Sequence, residues 1–310
     1  MNRKNTALVA LFFVLVLVCV CIGCDDDSDS TADVTQQEIS ATNLTAEEFI
    51  DKVANASEGM ETGDIEMDMI MDMSGKADGE NLDTSMSLQA NIAMDIPNKK
   101  IKMDISMEMP EELGTPFVPS TVEMETYIID DTMYTNMGEM LGEASGWIKM
   151  EIPEDEYSGF EDIWESLSLT SQQEELLWEA AEINILGERK VNGVNCYEVS
   201  IVPNTEQFFD IMTTQNMSVY LSEDFDASDM DKALELIDDY SITYWYDKST
   251  FQPVKMDIEM TMSDEEEDMD ISINEEIYMK YTNLNKSVTI KLPSDAKDAV
   301  DMSGMMDFDF

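Results

Sequence analysis

Residues 63–73 alternate apolar and polar side chains with a period of two. The odd-numbered positions carry Ile65 and then four methionines, whereas the even-numbered positions are mostly acidic, with Ile70 as the exception. An extended chain places these two sets on opposite faces, whereas a helix would scatter both around its circumference. The pattern therefore predicts a half-buried antiparallel strand with an apolar face built largely of methionine.

The same alternation recurs along the chain and predicts a series of hairpins. Segments 85–96 and 101–109 repeat it on either side of Pro97-Asn98, and Asn192-Gly193 is the strongest hairpin signal in the sequence. Further strands are predicted at 122–130, 133–137, 146–150, 183–190, 194–202, 241–247, 254–262 and 269–281, with a closing extended segment at 288–293. The count is about eleven strands, mostly joined in sequence order.

Helical periodicity interrupts this series in a few places. Thr45 and Glu48 form a capping box, which predicts a helix that starts there and ends near residue 59. Its apolar stripe is predicted to consist of Phe49, Ile50, Val53 and Ala54. Helical spacing also predicts one or two helices at 159–182 and short ones at 205–214 and 227–239. The predicted fold is mainly β (α+β): a curved antiparallel sheet forming an incomplete barrel, with helices covering the concave face.

The N-terminus is typical of an exported protein. Arg3 and Lys4 precede an uncharged run over residues 7–23, and Gly23 stands directly before Cys24. We predict a signal peptide over 1–23 and lipidation of Cys24. A flexible acidic tether over 24–43, a single domain over 44–300 and a loose tail over 301–310 would follow. An uncleaved segment would itself act as a membrane anchor, and both alternatives place the domain at the cell membrane, facing the extracytoplasmic side.

Composition narrows the function classes. The chain has 68 acidic and 17 basic residues and a formal net charge of -51, so binding to a nucleic acid backbone is not expected. It has no His, which excludes Ser-His-Asp and Cys-His catalytic sets and histidine-ligated metals. Cys196 alone would remain after cleavage and lipidation, and it is interpreted as a small buried hydrophobe. We predict no catalytic residue, no cofactor and no enzyme.

Several local phrases resemble one known family. They are LTAEEFIDKV, IIDDTMYTNMG followed by GWIKMEIP, VNGVNCYEVSIVP, ITYWYDKSTFQPVKMDIEM and VTIKLPSDAK. In this order they resemble the LolA-like and LppX-type lipoproteins over most of residues 44–299. That resemblance implies an incomplete antiparallel barrel, partly filled by helices, that carries lipid or another hydrophobic molecule. The delivery partner is not implied.

The methionines are the candidate binding residues. Their flexible, polarisable side chains suit an adaptable apolar surface. The predicted ligand-binding residues are Met67, Met69, Met71, Met86, Met94, Met103, Met107, Met256 and Met260. The alternative is a core filled by the protein's own helices. Two other functions remain open. One is a cell-envelope interaction module without a small ligand, with Trp147, Trp164, Trp178 and Tyr244-Trp245-Tyr246 as candidate contact residues. The other is a copper(I)-binding protein that uses Met thioethers.

Overall fold

The computed structural model describes residues 44–57, 60–77, 80–110, 120–136, 138, 146–151, 181–204, 236–266 and 269–302. The elements are α1 (Ala46–Ser57), β1 (Thr62–Ala77), β2 (Glu80–Asp95), β3 (Lys100–Glu108), β4 (Thr121–Ile129), β5 (Thr132–Asn136), β6 (Trp147–Glu151), β7 (Ala181–Val191), β8 (Val194–Pro203), β9 (Ile237–Asp247), β10 (Pro253–Glu266), β11 (Met269–Thr282) and β12 (Val300–Asp301). Single 3-10 turns lie at Ile96–Asn98 and Ala296–Asp298.

The twelve strands of the described residues form one curved, open sheet. Their order is β12-β6-β5-β4-β3-β2-β1-β11-β10-β9-β8-β7, and the two edge strands are not paired with each other in the described part of the chain. Neighbouring strands are antiparallel except the short β12–β6 pair. The predicted fold class is confirmed. The structure has one strand more than the eleven predicted. This strand is β12, in which Asp301 pairs with Lys149 of β6, although a loose tail was predicted to begin at residue 301.

The period-of-two pattern sorts residues onto the two faces of the sheet. We call the side that carries the odd-numbered residues 65–73 of β1 the methionine face. Met67 is opposite Ala90 on β2 and Met279 on β11, so apolar residues continue across the strands. Ile70, which breaks the alternation in sequence, lies on the opposite face and is 40% exposed. The side chains predicted to share a face therefore do so.

Helix α1 begins at the predicted capping box. The Thr45 backbone N–H donates to Glu48 Oε2 at 3.0 Å, and the Glu48 backbone N–H donates to Thr45 Oγ1 at 3.2 Å. Backbone and side-chain hydrogen bonds from Thr45 lower the pKa of Glu48. The helix directs Phe49 and Val53, which are 0% and 2% exposed, onto the methionine face. The capping box thus fixes where the cover of this face starts.

Over β4 and β6, the opposite face is covered by the chain that follows β11. Ile290 and Ala296 are buried against Tyr127 and Trp147, and the Trp147 Nε1–H donates to Asp295 Oδ2 at 3.3 Å. Residues 288–293, predicted as an extended segment, carry no strand and instead provide this packing. The two faces are therefore covered over different strands, since α1 packs on the part of the sheet that includes β1, β8, β9 and β10.

Several element boundaries differ from the predictions. The expected helix at 227–239 overlaps β9, because Ile237 is paired with Met262 in the sheet. The strand predicted at 254–262 is longer in the structure, since β10 continues to Glu266 opposite Met269. The helical stretch expected at 159–182 ends too late, because Ala181 and Glu182 begin β7, and its other residues lie outside the described residues. The helix expected at 205–214 and residues 1–43 also lie outside the described residues. No helix in the described ranges is long and apolar enough to cross a membrane.

Candidate functional site

All nine predicted methionines occupy the methionine face, as the strand register shows. They are buried or half-buried and fall into three clusters. The helix-covered cluster includes Met67, Met69 and Met256, with Met107 at its margin; the Ile65 cluster has Met94 and Met103 beside Ile65, Ile92, Ile101 and Ile128; and the Met71 cluster has Met71, Met86 and Met260. The strand register makes the methionine face continuous, but the three clusters pack against different residues.

The helix-covered cluster is packed by the protein itself. Met67, Met69 and Met256 are 3%, 2% and 0% exposed and lie in one cluster with Phe49 and Val53 of α1. Phe49 also makes edge-to-face contacts with Tyr246 at 5.3 Å and Tyr197 at 6.0 Å between ring centroids. Interleaved aromatic rings of this kind form a dense core. For this part of the face, the packing matches the alternative of a core filled by a helix.

The Met71 cluster lies at the other end of the face, near the β1–β2 and β10–β11 hairpins. Its buried members are Met71, Met73, Met260, Met262, Ile271 and Ile273, with Met86, Ile237 and Tyr240 packed against them. None of these residues belongs to α1. Met side chains can repack around ligands of different shape at little cost. This cluster is therefore the part of the face best suited to an apolar ligand.

Glu275 of β11 is a carboxyl group buried within the methionine face. It takes the position between Ile273 and Ile277 that an apolar residue would be expected to fill, and it is 2% exposed. By register it lies between Met71 on β1 and Met260 on β10. Its Oε1 atom is buried without a hydrogen-bond partner. Burial raises the pKa of Glu275 to about 7, because the charged form is poorly solvated there.

A second polar atom without a partner lies nearby. Thr84 of β2 is opposite Met73, and its Oγ1 atom is buried without a hydrogen bond. Met73 is in turn opposite Ile273, two residues from Glu275 along β11. The Thr84 hydroxyl on β2 and the Glu275 carboxyl on β11 are thus separated by strand β1 and lie in adjacent cross-strand rows of the methionine face. Since buried polar groups are normally satisfied, two such groups on one apolar surface suggest a missing polar partner.

Sequence reasoning did not identify Glu275 or Thr84. The signal for Glu275 was present, because Ile271, Ile273, Ile277 and Met279 set an apolar parity in β11 that the carboxyl interrupts. Because the chain has 68 acidic residues, composition does not distinguish Glu275 from the exposed carboxylates. Its burial depends on pairing with β1, some 200 positions earlier in the chain, which local patterns do not reveal.

The other candidates from the sequence are structural. Cys196 is 0% exposed beside Trp245 and Val254 on the opposite face, and burial raises the pKa of its thiol to about 12. The aromatic side chains of Trp147 and of residues 244–246 are all buried rather than presented to a partner. Trp164 and Trp178, also considered as contact residues, lie outside the described residues.

A polar cleft of about 650 Å³ lies at the β7–β8 hairpin, away from the methionine face. Glu188, Arg189, Asp247 and Lys248 contribute to its lining, and their opposite charges pair locally, as in the Lys248–Glu188 ion pair. The described ranges contain no group of three or more His, Cys, Asp or Glu side chains that could hold a metal ion. The methionine face therefore remains the candidate site.

The fold and this face define a class of protein: an open, curved antiparallel sheet with an apolar face partly covered by a helix. The chain belongs to a family of unknown function, DUF6612, whose sequence profile matches residues 45–301. A search of curated proteins returned no match.

Solved structures to which the chain is similar include three bacterial proteins. A DUF1329 family protein from Desulfovibrio piger is 11% identical, with 79% of this chain and 95% of that chain covered and a TM-score of 0.24. An outer membrane lipoprotein-sorting protein domain from Vibrio parahaemolyticus is 13% identical, with 82% and 98% covered and a TM-score of 0.25. A LolA superfamily protein from Nitrosomonas europaea is 8% identical, with 81% and 96% covered and a TM-score of 0.20.

Proposed function

We propose that this protein binds an apolar ligand, such as a lipid or a lipid-linked molecule, on the methionine face and holds it at the extracytoplasmic side of the cell membrane. The observation that carries the proposal is the Met71 cluster. There, Met86, Met71 and Met260 lie in one cross-strand row that spans β2, β1, β11 and β10. A surface so rich in methionine is better suited to an exchangeable ligand than to a uniquely packed core.

Binding is tested with an uncharged fluorescent probe. Protein stripped of lipid is titrated with N-phenyl-1-naphthylamine, whose emission rises in apolar surroundings, and protein purified from its own membrane is analysed by native mass spectrometry. We expect saturable probe uptake and a co-purifying apolar molecule. Absence of both would overturn the proposal.

A bulky substitution locates the ligand on the face. Replacing half-buried Met86 with tryptophan is expected to weaken probe binding by about tenfold, because the added ring occupies ligand volume beside Met71. The measurement is the probe titration, accompanied by thermal unfolding to confirm that the variant is folded.

The matched control is Ser85→Trp. Ser85 is the preceding residue on β2, is exposed and lies on the opposite face. Its substitution adds the same ring and is expected to leave probe affinity unchanged. Equal losses in the two variants would show that the probe does not bind at the Met71 cluster.

The membrane location rests on the N-terminal sequence. We propose that Cys24, directly after Gly23, receives the lipid and that residues 24–43 tether the domain. In cells fed an alkyne-tagged fatty acid, the wild-type protein is expected to take up the label, whereas Cys24→Ser is expected to lose it. Cys21→Ser is the control, because that residue would be removed with the signal peptide. Equal labelling of wild type and Cys24→Ser would exclude lipidation at this residue.

The two other functions remain as outcomes of these measurements. An interaction module would bind a protein partner without taking up the probe. Copper(I) binding would use thioethers, but the nine methionines are divided among three clusters and strand alternation alone produces the Met-x-Met spacing. Titration with copper(I) in a reducing buffer tests that function directly.

A further inference from the structure

Glu275 is an unusual residue to find in an apolar face. A carboxylate that is removed from water without a partner is strongly destabilising, so buried acidic groups are normally paired. At 2% exposure and with Oε1 unbonded, Glu275 is not paired in the described structure. The neighbouring residues in its row, Met71 and Met260, offer no hydrogen-bond donor.

The nearby lysines do not supply the missing charge. Lys280 of β11 is bonded to Glu66 at 2.9 Å, and Lys255 of β10 to Asp257 at 2.7 Å. By strand parity both lysines lie on the opposite face of the sheet. A positive group that reaches Glu275 on the methionine face must therefore come from elsewhere.

We propose that the ligand is an amphiphile with a protonated amine, and that Glu275 pairs with the ammonium group while the Met71 cluster holds the alkyl chain. This inference rests on the proposed function and specifies its ligand class. Thr84 Oγ1, also without a partner, is one row away and can bond a second polar atom of the same headgroup. The site for the ligand headgroup and the site for its alkyl chain are then adjacent on the methionine face.

The charge of the chain favours a cationic rather than an anionic amphiphile. With a formal net charge of -51, the protein attracts cations and repels fatty acids and anionic lipids. That field acts on any cation near the surface, so selectivity must come from a defined contact. The buried Glu275 is suited to provide it, because an ion pair is stronger where water is excluded.

The pH dependence of binding follows from the state of Glu275. Its pKa of about 7 means that the carboxyl is mostly protonated at pH 6 and mostly ionised at pH 8. Tyr240 of β9 is the titratable side chain packed against this cluster. On β10, Asp264 and Glu266 lie two and three cross-strand rows beyond Met260, toward the β10–β11 turn. An amine stays charged over this range, so its affinity is expected to rise about tenfold from about pH 6 to about pH 8 as the carboxyl ionises.

The test compares three ligands of equal chain length. Dodecylamine, dodecanol and dodecanoic acid compete with bound N-phenyl-1-naphthylamine, below their aggregation concentrations, on delipidated wild type and on Glu275→Gln. We expect the wild type to prefer the amine over the alcohol by about tenfold at about pH 8. Glu275→Gln is expected to bind dodecylamine and dodecanol with equal affinity, and its affinity for the amine is expected not to change between about pH 6 and about pH 8. Glu275→Asp retains an ionisable group and is expected to restore part of the preference.

Glu276→Gln is the matched control, because Glu276 is the adjacent residue, is exposed and faces the other side of the sheet. It removes the same formal charge and is expected to keep the wild-type preference. If Glu275→Gln keeps the preference, or if both variants lose it equally, the inference is wrong. If the neutral probe is not taken up at all, the proposed function itself fails, whereas probe uptake without amine preference removes only this inference.

Discussion

Replacing Phe49 with alanine is expected to lower the free energy of unfolding by about 3 to 5 kcal/mol. Phe49 is 0% exposed and is the largest side chain that α1 buries on the methionine face. The centroid of its ring lies within 6.1 Å of the ring centroids of Tyr197, Tyr246 and Phe251. Truncation therefore leaves a cavity lined by aromatic side chains. Urea unfolding followed by circular dichroism measures the loss.

The matched control for Phe49 is Ile70→Ala. Ile70 is an apolar residue of β1 on the opposite face, and at 40% exposure its truncation is expected to cost less than about 1 kcal/mol. Phe49→Leu, which keeps much of the volume, is expected to fall between the two. A loss from Phe49→Ala as small as that from Ile70→Ala would show that α1 does not stabilise the sheet.

Phe49 also illustrates what the sequence could predict. The capping box at Thr45 and the apolar spacing of Phe49 and Val53 defined the helix and its buried stripe, because both signals are local. The strand pattern succeeded for the same reason, since alternation within β1 assigns each side chain to a face without knowledge of the partner strand.

Non-local pairing is what the sequence could not provide. β1 lies in the middle of the sheet, where it pairs with β2 and with β11 near the other end of the chain. Hairpin signals connect neighbours in sequence, but nothing local links Met71 to Glu275. The three clusters on the methionine face, and the carboxyl in one of them, appear only once that pairing is known.

The segment after β11 gives a second example. Its apolar residues at 288, 290 and 292 follow a strand-like alternation, yet they cover Tyr127 and Trp147 on the opposite face of the sheet. Alternation indicates an extended chain with one apolar side. It does not distinguish a strand within the sheet from a segment packed across it.

Glu275 should make the stability of the ligand-free protein fall as pH rises. In the unfolded chain its carboxyl ionises near the ordinary value of 4.5, whereas burial raises the folded-state pKa to about 7. Stability from this group is therefore complete below about pH 4.5 and is lost as pH rises through about 7, a change of about 3 kcal/mol. Glu275→Gln removes this loss, so the variant's free energy of unfolding relative to wild type is expected to increase by that amount between about pH 4.5 and pH 8.

Urea unfolding of delipidated protein at a series of pH values measures this difference. Asp257, whose pKa is also raised by burial, is present in both proteins and contributes equally. Glu276→Gln, which alters an exposed carboxyl beside Glu275, is expected to show no comparable change. A constant difference between Glu275→Gln and wild type would mean that the carboxyl is solvated. Since an ammonium partner favours the ionised form, saturating dodecylamine is expected to stabilise the wild type above about pH 7 by more than it stabilises Glu275→Gln, which offers the alkyl chain a site but the ammonium group no charge.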